Sequence, residues 1–157
     1  MERPVNTRII VQIFLVCLLP VSGLLITSNL AMGNNKYNFT HVQINGRSYT
    51  LELARTGSQR RQGLMYRTSL ADDFGMLFIY PESGFHRIWM KNTLLPLTVI
   101  WLDDNEVVIG IEKLQPCVTN PCPSYGVNKP ARYVIELNGD NNELQMGDQV
   151  SGLRRFQ

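Results

Sequence analysis

The residues whose types and spacing best suit chemistry lie in one stretch, Phe85 to Asn92, with the sequence FHRIWMKN. If this stretch is a strand, Arg87, Trp89 and Lys91 project from the same face, because side chains alternate along a strand. An indole offers a flat surface for stacking, and cationic side chains grip a carboxylate, a phosphate or a uronate. The pattern favours a site for a small polar or anionic ligand, or for a peptide or protein partner, with Arg67 as a further cation.

A structural interpretation of the same residues is also open. Trp89 could pack in the core while the aliphatic stems of Arg87 and Lys91 cover its edge and keep their charges in water. The two interpretations differ in the exposure that they predict for the indole.

The opposite face of the stretch suggests a second hypothesis, a soft-metal site. His86 and Met90 share that face, and Met65 and Met76 lie nearby if the surrounding blocks pack together. Thioether and imidazole groups suit Cu(I). Methionine is also a common filler of irregular cores, so we predict no resident cofactor and keep copper binding as an alternative.

The sequence contains no recognisable catalytic motif. It lacks G-x-S-x-G, H-E-x-x-H, a phosphate-binding glycine loop and a calcium-binding loop. We therefore predict no catalytic residues and favour a non-catalytic binding or accessory module. The alternative is a hydrolase acting on envelope or extracellular material, which would place a titratable group with a perturbed pKa in a cleft.

The secondary-structure pattern predicts a mainly β fold. Leu97–Leu102 (LTVIWL) is apolar on both faces, as expected of a central strand. Asn45-Gly46 predicts a hairpin turn, and 56–67 predicts a short helix capped by Thr56 or Ser58. No βαβ alternation is present. The expected fold is a single-domain antiparallel β-barrel or roll of about eight short strands with one or two short helices.

The N-terminus and the cysteines predict an exported protein. Residues 1–33 combine early arginines, a long apolar run and small residues before Asn34, which is the layout of a secretory signal peptide. An uncleaved membrane anchor is the alternative. A flexible leader (34–38) and one β-rich domain (39–157) follow. Cys117 and Cys122 then predict a local disulfide that staples a proline-rich loop in a periplasmic or extracellular compartment.

The charge distribution argues against nucleic acid as a partner. Beyond residue 33 the chain has 13 basic and 12 acidic residues. The pairs Arg60-Arg61 and Arg154-Arg155 are isolated, and no aromatic residues interleave them as in a nucleic-acid-binding surface. Contact with a membrane is predicted only through an uncleaved N-terminal segment.

Three blocks in register resemble the prokaryotic domain of unknown function 192 family. They are GLMYR (63–67), GMLF (75–78) and WMKNT with a following P-L (89–97). The resemblance covers about residues 40 to 155. It implies a fold and a compartment rather than a reaction, because the family has no settled activity.

The resemblance also adds to the predicted binding site. Glu136 also resembles the C-terminal pattern of that family. Among the matching positions, packing alone does not readily explain the polar Arg67, Lys91, Asn92 and Glu136, so we include all four. Many members of the family resemble P-L-D at this point, with an aspartate at the position of Thr98. If that aspartate serves them as a ligand or base, this chain lacks it.

Overall fold

The computed structural model describes residues 38–139, 144–153 and 156. The predicted signal peptide (1–33) and all but the last residue of the predicted leader lie outside them. The described residues form one helix and nine strands: β1 (Phe39–Ile44), β2 (Arg47–Ala54), α1 (Gly57–Gln62), β3 (Phe74–Gly84), β4 (Ile88–Trp89), β5 (Leu97–Leu102), β6 (Val108–Leu114), β7 (Ser124–Tyr125), β8 (Ala131–Asn138) and β9 (Val150–Ser151).

Most of these strands belong to one sheet that curls into a half-barrel. Within the described residues the sheet has seven strands in the order β6-β5-β8-β3-β2-β1-β9, and β4 pairs separately with β7. The predicted mainly β, barrel-like fold is confirmed. One pairing differs from the antiparallel expectation, because β2 and β3 run parallel. Parallel neighbours need a crossover connection, and here the segment 55–73 with α1 provides it.

Two predicted strands are shorter than expected. The strand predicted over Phe85 to Met90 shrinks to β4, because only Ile88 and Trp89 pair with a partner, β7. The sequence after Gly147-Asp148 predicts a last strand over Gln149 to Phe156, preceded by a turn over Asn138 to Gln145. In the structure this strand is shortened to β9, which pairs with the end of β1. Residues 154 and 155 of the strand and residues 140–143 of the turn lie outside the described part of the chain.

The sheet separates two hydrophobic cores. One face carries a cluster that includes Leu51, Leu77 and Ile135, and the other carries Met76, Val134 and Trp101. All six residues of β5 are buried, as predicted for a central strand. The alternation of side chains along β2, β3, β5 and β8 supplies both cores at once.

The helix α1 begins with a capping box. The Thr56 side chain accepts a hydrogen bond from the Gln59 backbone N–H at 3.1 Å, and Gln59 Oε1 accepts one from the Thr56 N–H at 2.9 Å. These reciprocal bonds satisfy backbone donors that a helix start otherwise leaves unpaired. The short helix therefore holds a defined position at the edge of the second core.

A disulfide joins Cys117 and Cys122, as predicted. It closes the proline-rich loop between β6 and β7 and is compatible with an exported protein. Among the described residues, no helix combines the length and the apolar character needed to cross a membrane.

Candidate functional site

Two buried glutamates lie in one row across the second core. In the strand register Glu52 of β2 is opposite Met76 of β3, Met76 is opposite Glu136 of β8, and Glu136 is opposite Val99 of β5. Directly opposed residues project from the same face. A carboxyl group in an apolar layer is costly unless it finds a partner or becomes neutral, and each glutamate meets this requirement differently.

Glu52 is compensated by an ion pair. Both terminal nitrogens of Arg67 donate to its carboxylate, Nη1 to Oε1 and Nη2 to Oε2, each at 2.7 Å. Such a two-pronged pair matches the planar geometries of guanidinium and carboxylate. Arg67, predicted as a ligand-gripping cation, is therefore placed in a pair that stabilises the fold.

Glu136 remains in its buried position as a neutral acid. Burial raises the pKa of its carboxyl group to about 8, although the Leu64 backbone N–H and the Arg67 charge oppose the shift. The residue is 4% exposed, and its Oε2 has no hydrogen-bond partner among the described residues. At neutral pH this carboxyl group holds a proton that it can share with a ligand.

The end of α1 shapes the space around Glu136. Gly63 follows the helix with a φ of 47°, a conformation that favours glycine. A Cβ at this position would lie 3.4 Å from Glu136 Oε2 and 3.4 Å from the Phe78 ring. The sharp turn at Gly63 lets the next backbone N–H, that of Leu64, reach the carboxyl group.

Glu136 lines a cleft of about 460 Å³, which we call the arginine cleft. This volume is within the range of small-molecule sites. The charged and aromatic residues of its lining are Arg60, Arg61, Arg87, Glu136, Phe78, Tyr80 and Trp89. The cleft therefore combines three guanidinium groups, three aromatic walls and one carboxyl group.

Two of the three guanidinium groups are fixed by the protein. Arg60 Nη1 donates to the carbonyl oxygens of Arg55 and Ile79, at 2.6 and 2.8 Å, and the group lies 4.8 Å from the centroid of the Tyr80 ring. Arg87 Nε donates to Ser124 Oγ at 2.9 Å, and Nη2 donates to the Ser124 carbonyl oxygen. These bonds hold both cations at the cleft with little freedom left to lose on binding.

Arg61 and the phenol of Tyr80 also contribute to the net charge of the arginine cleft. Arg61 is exposed near the C-terminal end of α1. Burial raises the pKa of Tyr80 to about 12, which Arg60 opposes and Glu136 reinforces. At neutral pH the phenol is thus uncharged, and the net charge of the cleft is positive.

Trp89 separates the arginine cleft from a second cavity. The indole is 43% exposed, so it is not packed in the core as the structural interpretation required. The second cavity measures about 520 Å³ and is lined by Trp89, Lys91, Asn92 and the loop 117–122. We call it the loop cavity. Lys91 Nζ lies 5.2 Å from the centroid of the Trp89 ring, in cation–π range.

Asn92 links two of the sequence blocks. The Tyr66 backbone N–H donates to the Asn92 carbonyl oxygen at 2.8 Å, and Asn92 Nδ2 donates to the Tyr66 hydroxyl at 2.6 Å. Both residues have positive φ, 64° and 55°. This polar asparagine, which packing did not explain, positions the GLMYR segment against the WMKNT segment.

The structure brings most of the predicted binding residues to these two cavities. Arg87, Trp89 and Glu136 line the arginine cleft, while Lys91 and Asn92 join Trp89 at the loop cavity. Arg60, Arg61 and Tyr80 also line the arginine cleft, but their place in the site was not predicted from the sequence. The paired arginines were visible, but their position beside Glu136 depends on the crossover between β2 and β3.

The residues of the copper alternative occupy different environments. Met76 and Met90 are buried in the second core, and Met65 lines the arginine cleft. His86 stacks on Tyr80 with 3.4 Å between ring centroids, and its Nε2 lies 3.1 Å from the Glu82 carbonyl oxygen. Burial lowers the pKa of His86, while the bond to Glu82 opposes the shift. The described residues hold no cluster of three histidine, cysteine or acidic groups suited to a metal.

Residues 40–152 match the DUF192 family, which is described as an uncharacterized ACR. The chain belongs to this family, as the three sequence blocks predicted. A comparison with curated proteins gives no match.

Two solved structures are similar to this chain. One is a candidate transcription regulator of Sinorhizobium meliloti 1021, with 35% identity and a TM-score of 0.67 over 74% of this chain and 95% of that one. The other is a protein of unknown function from Novosphingobium aromaticivorans DSM 12444, with 29% identity and a TM-score of 0.64 over 71% of this chain and 84% of that one. Both likenesses support the fold.

Proposed function

We propose that this DUF192 protein is an exported, non-catalytic binding module that holds a small anionic ligand in the arginine cleft. The observation that carries the proposal is the convergence of Arg60, Arg61 and Arg87 on a cleft with one wall formed by the exposed Trp89 indole. A cleft lined by charge of one sign raises the local concentration of the opposite ion.

The charge of the arginine cleft selects an anion. Arginine stays protonated in proteins, whereas Glu136 remains neutral at pH 7 because burial raises its pKa to about 8. The three cations are therefore not offset by the carboxyl group in the same lining. A carboxylate or phosphate would accept charge-assisted hydrogen bonds from them.

Trp89 and Glu136 add shape and a hydrogen-bond donor. An exposed indole beside charged groups suits a ligand with a flat apolar face. The O–H of the neutral Glu136 carboxyl group would donate a hydrogen bond to a ligand oxygen, which would give Oε2 a partner. The ligand that best fits is an acid with a ring-like body and at least one further oxygen acceptor.

A hydrolase is the second candidate function, and Glu136 is the observation that favours it. A carboxylic acid in a cleft with a pKa near neutrality is suited to donate a proton to a leaving group. Most glycosidases, however, require a second carboxyl group beside the first. Glu136 is the one acidic residue among those that the structure places in the lining of the arginine cleft, which favours binding over hydrolysis.

Calorimetry and thermal shift on the full chain test the binding proposal. Glucuronate and glucose phosphate should raise the melting temperature, and neutral glucose should not. Arg61→Gln should weaken glucuronate binding by about tenfold, since it removes one charged hydrogen bond. Lys129→Gln removes the same charge from an exposed position that lines neither cavity, and it should bind like the wild type.

A second pair of variants tests the indole. Trp89→Ala should lose glucuronate binding, whereas Phe85→Ala, which truncates an exposed aromatic residue outside both linings, should keep it. Equal losses in both variants, or no shift with either acid, would contradict the proposal. Turnover of a nitrophenyl glucuronide distinguishes the two candidate functions. A hydrolase would turn this substrate over as wild type and lose the activity in Glu136→Gln, whereas a binding module would show no turnover in either protein.

A further inference from the structure

The two cavities share one wall. Trp89 lines both the arginine cleft, about 460 Å³, and the loop cavity, about 520 Å³. Both cavities are open to solvent, and each has cationic side chains, Arg61 and Arg87 in the first and Lys91 in the second. The exposed indole therefore forms a ridge between two neighbouring spaces of similar size and the same sign of charge.

The short β4–β7 ribbon fixes this arrangement. Trp89 pairs with Ser124, and Ser124 also accepts the hydrogen bonds of Arg87 in the arginine cleft. Cys122, two residues before Ser124, lines the loop cavity. The disulfide between Cys122 and Cys117 closes the loop 117–122, which lines the loop cavity together with Trp89. The β4–β7 ribbon thus contributes lining residues to the arginine cleft and, through Trp89, to the loop cavity as well.

We infer that the ligand is an acidic saccharide chain that lies across Trp89, with one unit in the arginine cleft and the next in the loop cavity. This inference rests on the proposed function and extends it from a single acid to an oligomer. A single small acid would use the cations of the arginine cleft and leave Lys91 of the loop cavity without a role.

The chemistry of a pyranuronate suits the ridge. A pyranose ring has an apolar C–H face that packs on an indole, and its carboxylate projects from the ring edge. Ring stacking on Trp89 would leave the carboxylate of one unit within reach of the arginine side chains. The carboxylate of the adjoining unit would face Lys91, whose Nζ already lies 5.2 Å from the indole centroid. Repeating acids joined at the spacing of sugar units therefore match two cationic cavities on either side of one aromatic ridge.

Calorimetry with galacturonate and its linear oligomers, up to the hexamer, tests the inference on the full chain. We expect affinity to rise about tenfold from the monomer to the short oligomers, as one additional charged contact forms, and then to level off. Lys91→Gln should remove most of this gain, so that the oligomers bind to this variant little more tightly than the monomer does. Lys129→Gln, the matched loss of one exposed lysine, should keep the gain.

A second variant examines the loop 117–122. Replacing Cys117 and Cys122 together by serine releases the loop, and it should lower the affinity for oligomers more than the affinity for the monomer. Equal affinities for monomer and oligomers in the wild type would overturn the inference and leave the proposed function standing. A length dependence that survives Lys91→Gln would also overturn it. Failure of monomer and oligomers alike to bind would overturn both.

Discussion

Glu136 and Glu52 show how two identical side chains on one buried row reach different states. The two carboxyl groups differ in ionisation because the segment 63–67 provides a different partner for each. Arg67 brings a full positive charge to Glu52, while Glu136 receives only the backbone N–H of Leu64 directly. A guanidinium partner allows a carboxylate to stay ionised, whereas one amide dipole does not compensate for desolvation.

The raised pKa of Glu136 makes the stability of the fold depend on pH. Its carboxyl pKa is about 8 in the folded chain against an ordinary 4.5. Between these values the unfolded chain releases a proton that the folded chain retains. The stability that the folded chain gains by retaining this proton is fully present below pH 4.5 and is lost as the pH rises towards 8. The free energy of unfolding should therefore fall through this window, by at most about 1.4 kcal/mol per pH unit.

Urea denaturation at several pH values from 4.5 to 8 measures this dependence. Glu136→Gln keeps the shape of the side chain and removes its titration, so its curve against pH should be flatter than that of the wild type. Glu82→Gln, at an exposed position, corrects for the general loss of one carboxyl group. Parallel curves for wild type and Glu136→Gln would show that Glu136 titrates alike in both states of the chain.

At the scale of elements, the crossover between β2 and β3 builds the site. It carries α1, the arginine pair and the GLMYR segment, and it returns the chain in parallel to β2. Gly63 is the position where the helix ends and the segment turns towards Glu136. The turn requires its positive φ, and residues with a Cβ adopt a positive φ only at a cost in free energy.

Gly63→Ala should therefore affect both stability and binding. We expect a loss of about 1 kcal/mol in the free energy of unfolding, and weaker binding of glucuronate because the Leu64 amide and the Glu136 carboxyl group are displaced. Gly46→Ala is the matched variant, since Gly46 also has a positive φ, 77°, and a Cβ added there would have no other atom within 4 Å. It should lose similar stability and keep wild-type affinity. Unchanged affinity in both variants would separate Gly63 from the site.

Local patterns predicted those features that depend on neighbours in sequence. The apolar run 97–102 predicted a doubly buried strand, and the period of two placed Arg87, Trp89 and Lys91 on an outward face even though β4 is only two residues long. The C-x4-C spacing predicted the disulfide. Each of these signals lies within a few residues of the chain.

Contacts between distant segments were beyond such patterns. The partner of Arg67 lies 15 residues upstream, on a strand that the parallel pairing brings into register. The protonation of Glu136 depends on its burial on β8, between the neighbouring strands β3 and β5, and on one backbone amide 72 residues earlier in the chain. Arg60 and Arg61 looked like an isolated surface pair, because the sequence gives no sign of the cleft beside them.

At the scale of the whole molecule, the disulfide and the N-terminal pattern are both compatible with the proposed export. A disulfide persists in oxidising compartments and is rare where thiols are kept reduced. Cys117 and Cys122 are joined in the structure, and residues 1–33 have the layout of a signal peptide. The two observations are independent, because one concerns a loop of the folded chain and the other its N-terminus.

Cells that make the full chain provide the test of export. After rapid alkylation of free thiols, Cys117 and Cys122 should be unmodified, and the protein should be found in the periplasmic or extracellular fraction. A variant in which both Arg3 and Arg8 are replaced by glutamate should accumulate in the cytoplasm, since a signal peptide needs a positively charged start. Alkylated cysteines in cytoplasmic wild-type protein would contradict export.

The two tryptophans of the chain occupy opposite situations. Trp101 is fully buried, and its Nε1 donates to the His86 carbonyl oxygen at 3.0 Å, whereas Trp89 stands at the surface between the two cavities. The chain thus contains two intrinsic fluorophores that report different properties of the molecule. Emission from Trp101 reports whether the fold is intact, and emission from Trp89 reports what lies on the ridge, so one spectrum can follow folding and occupancy without an added label.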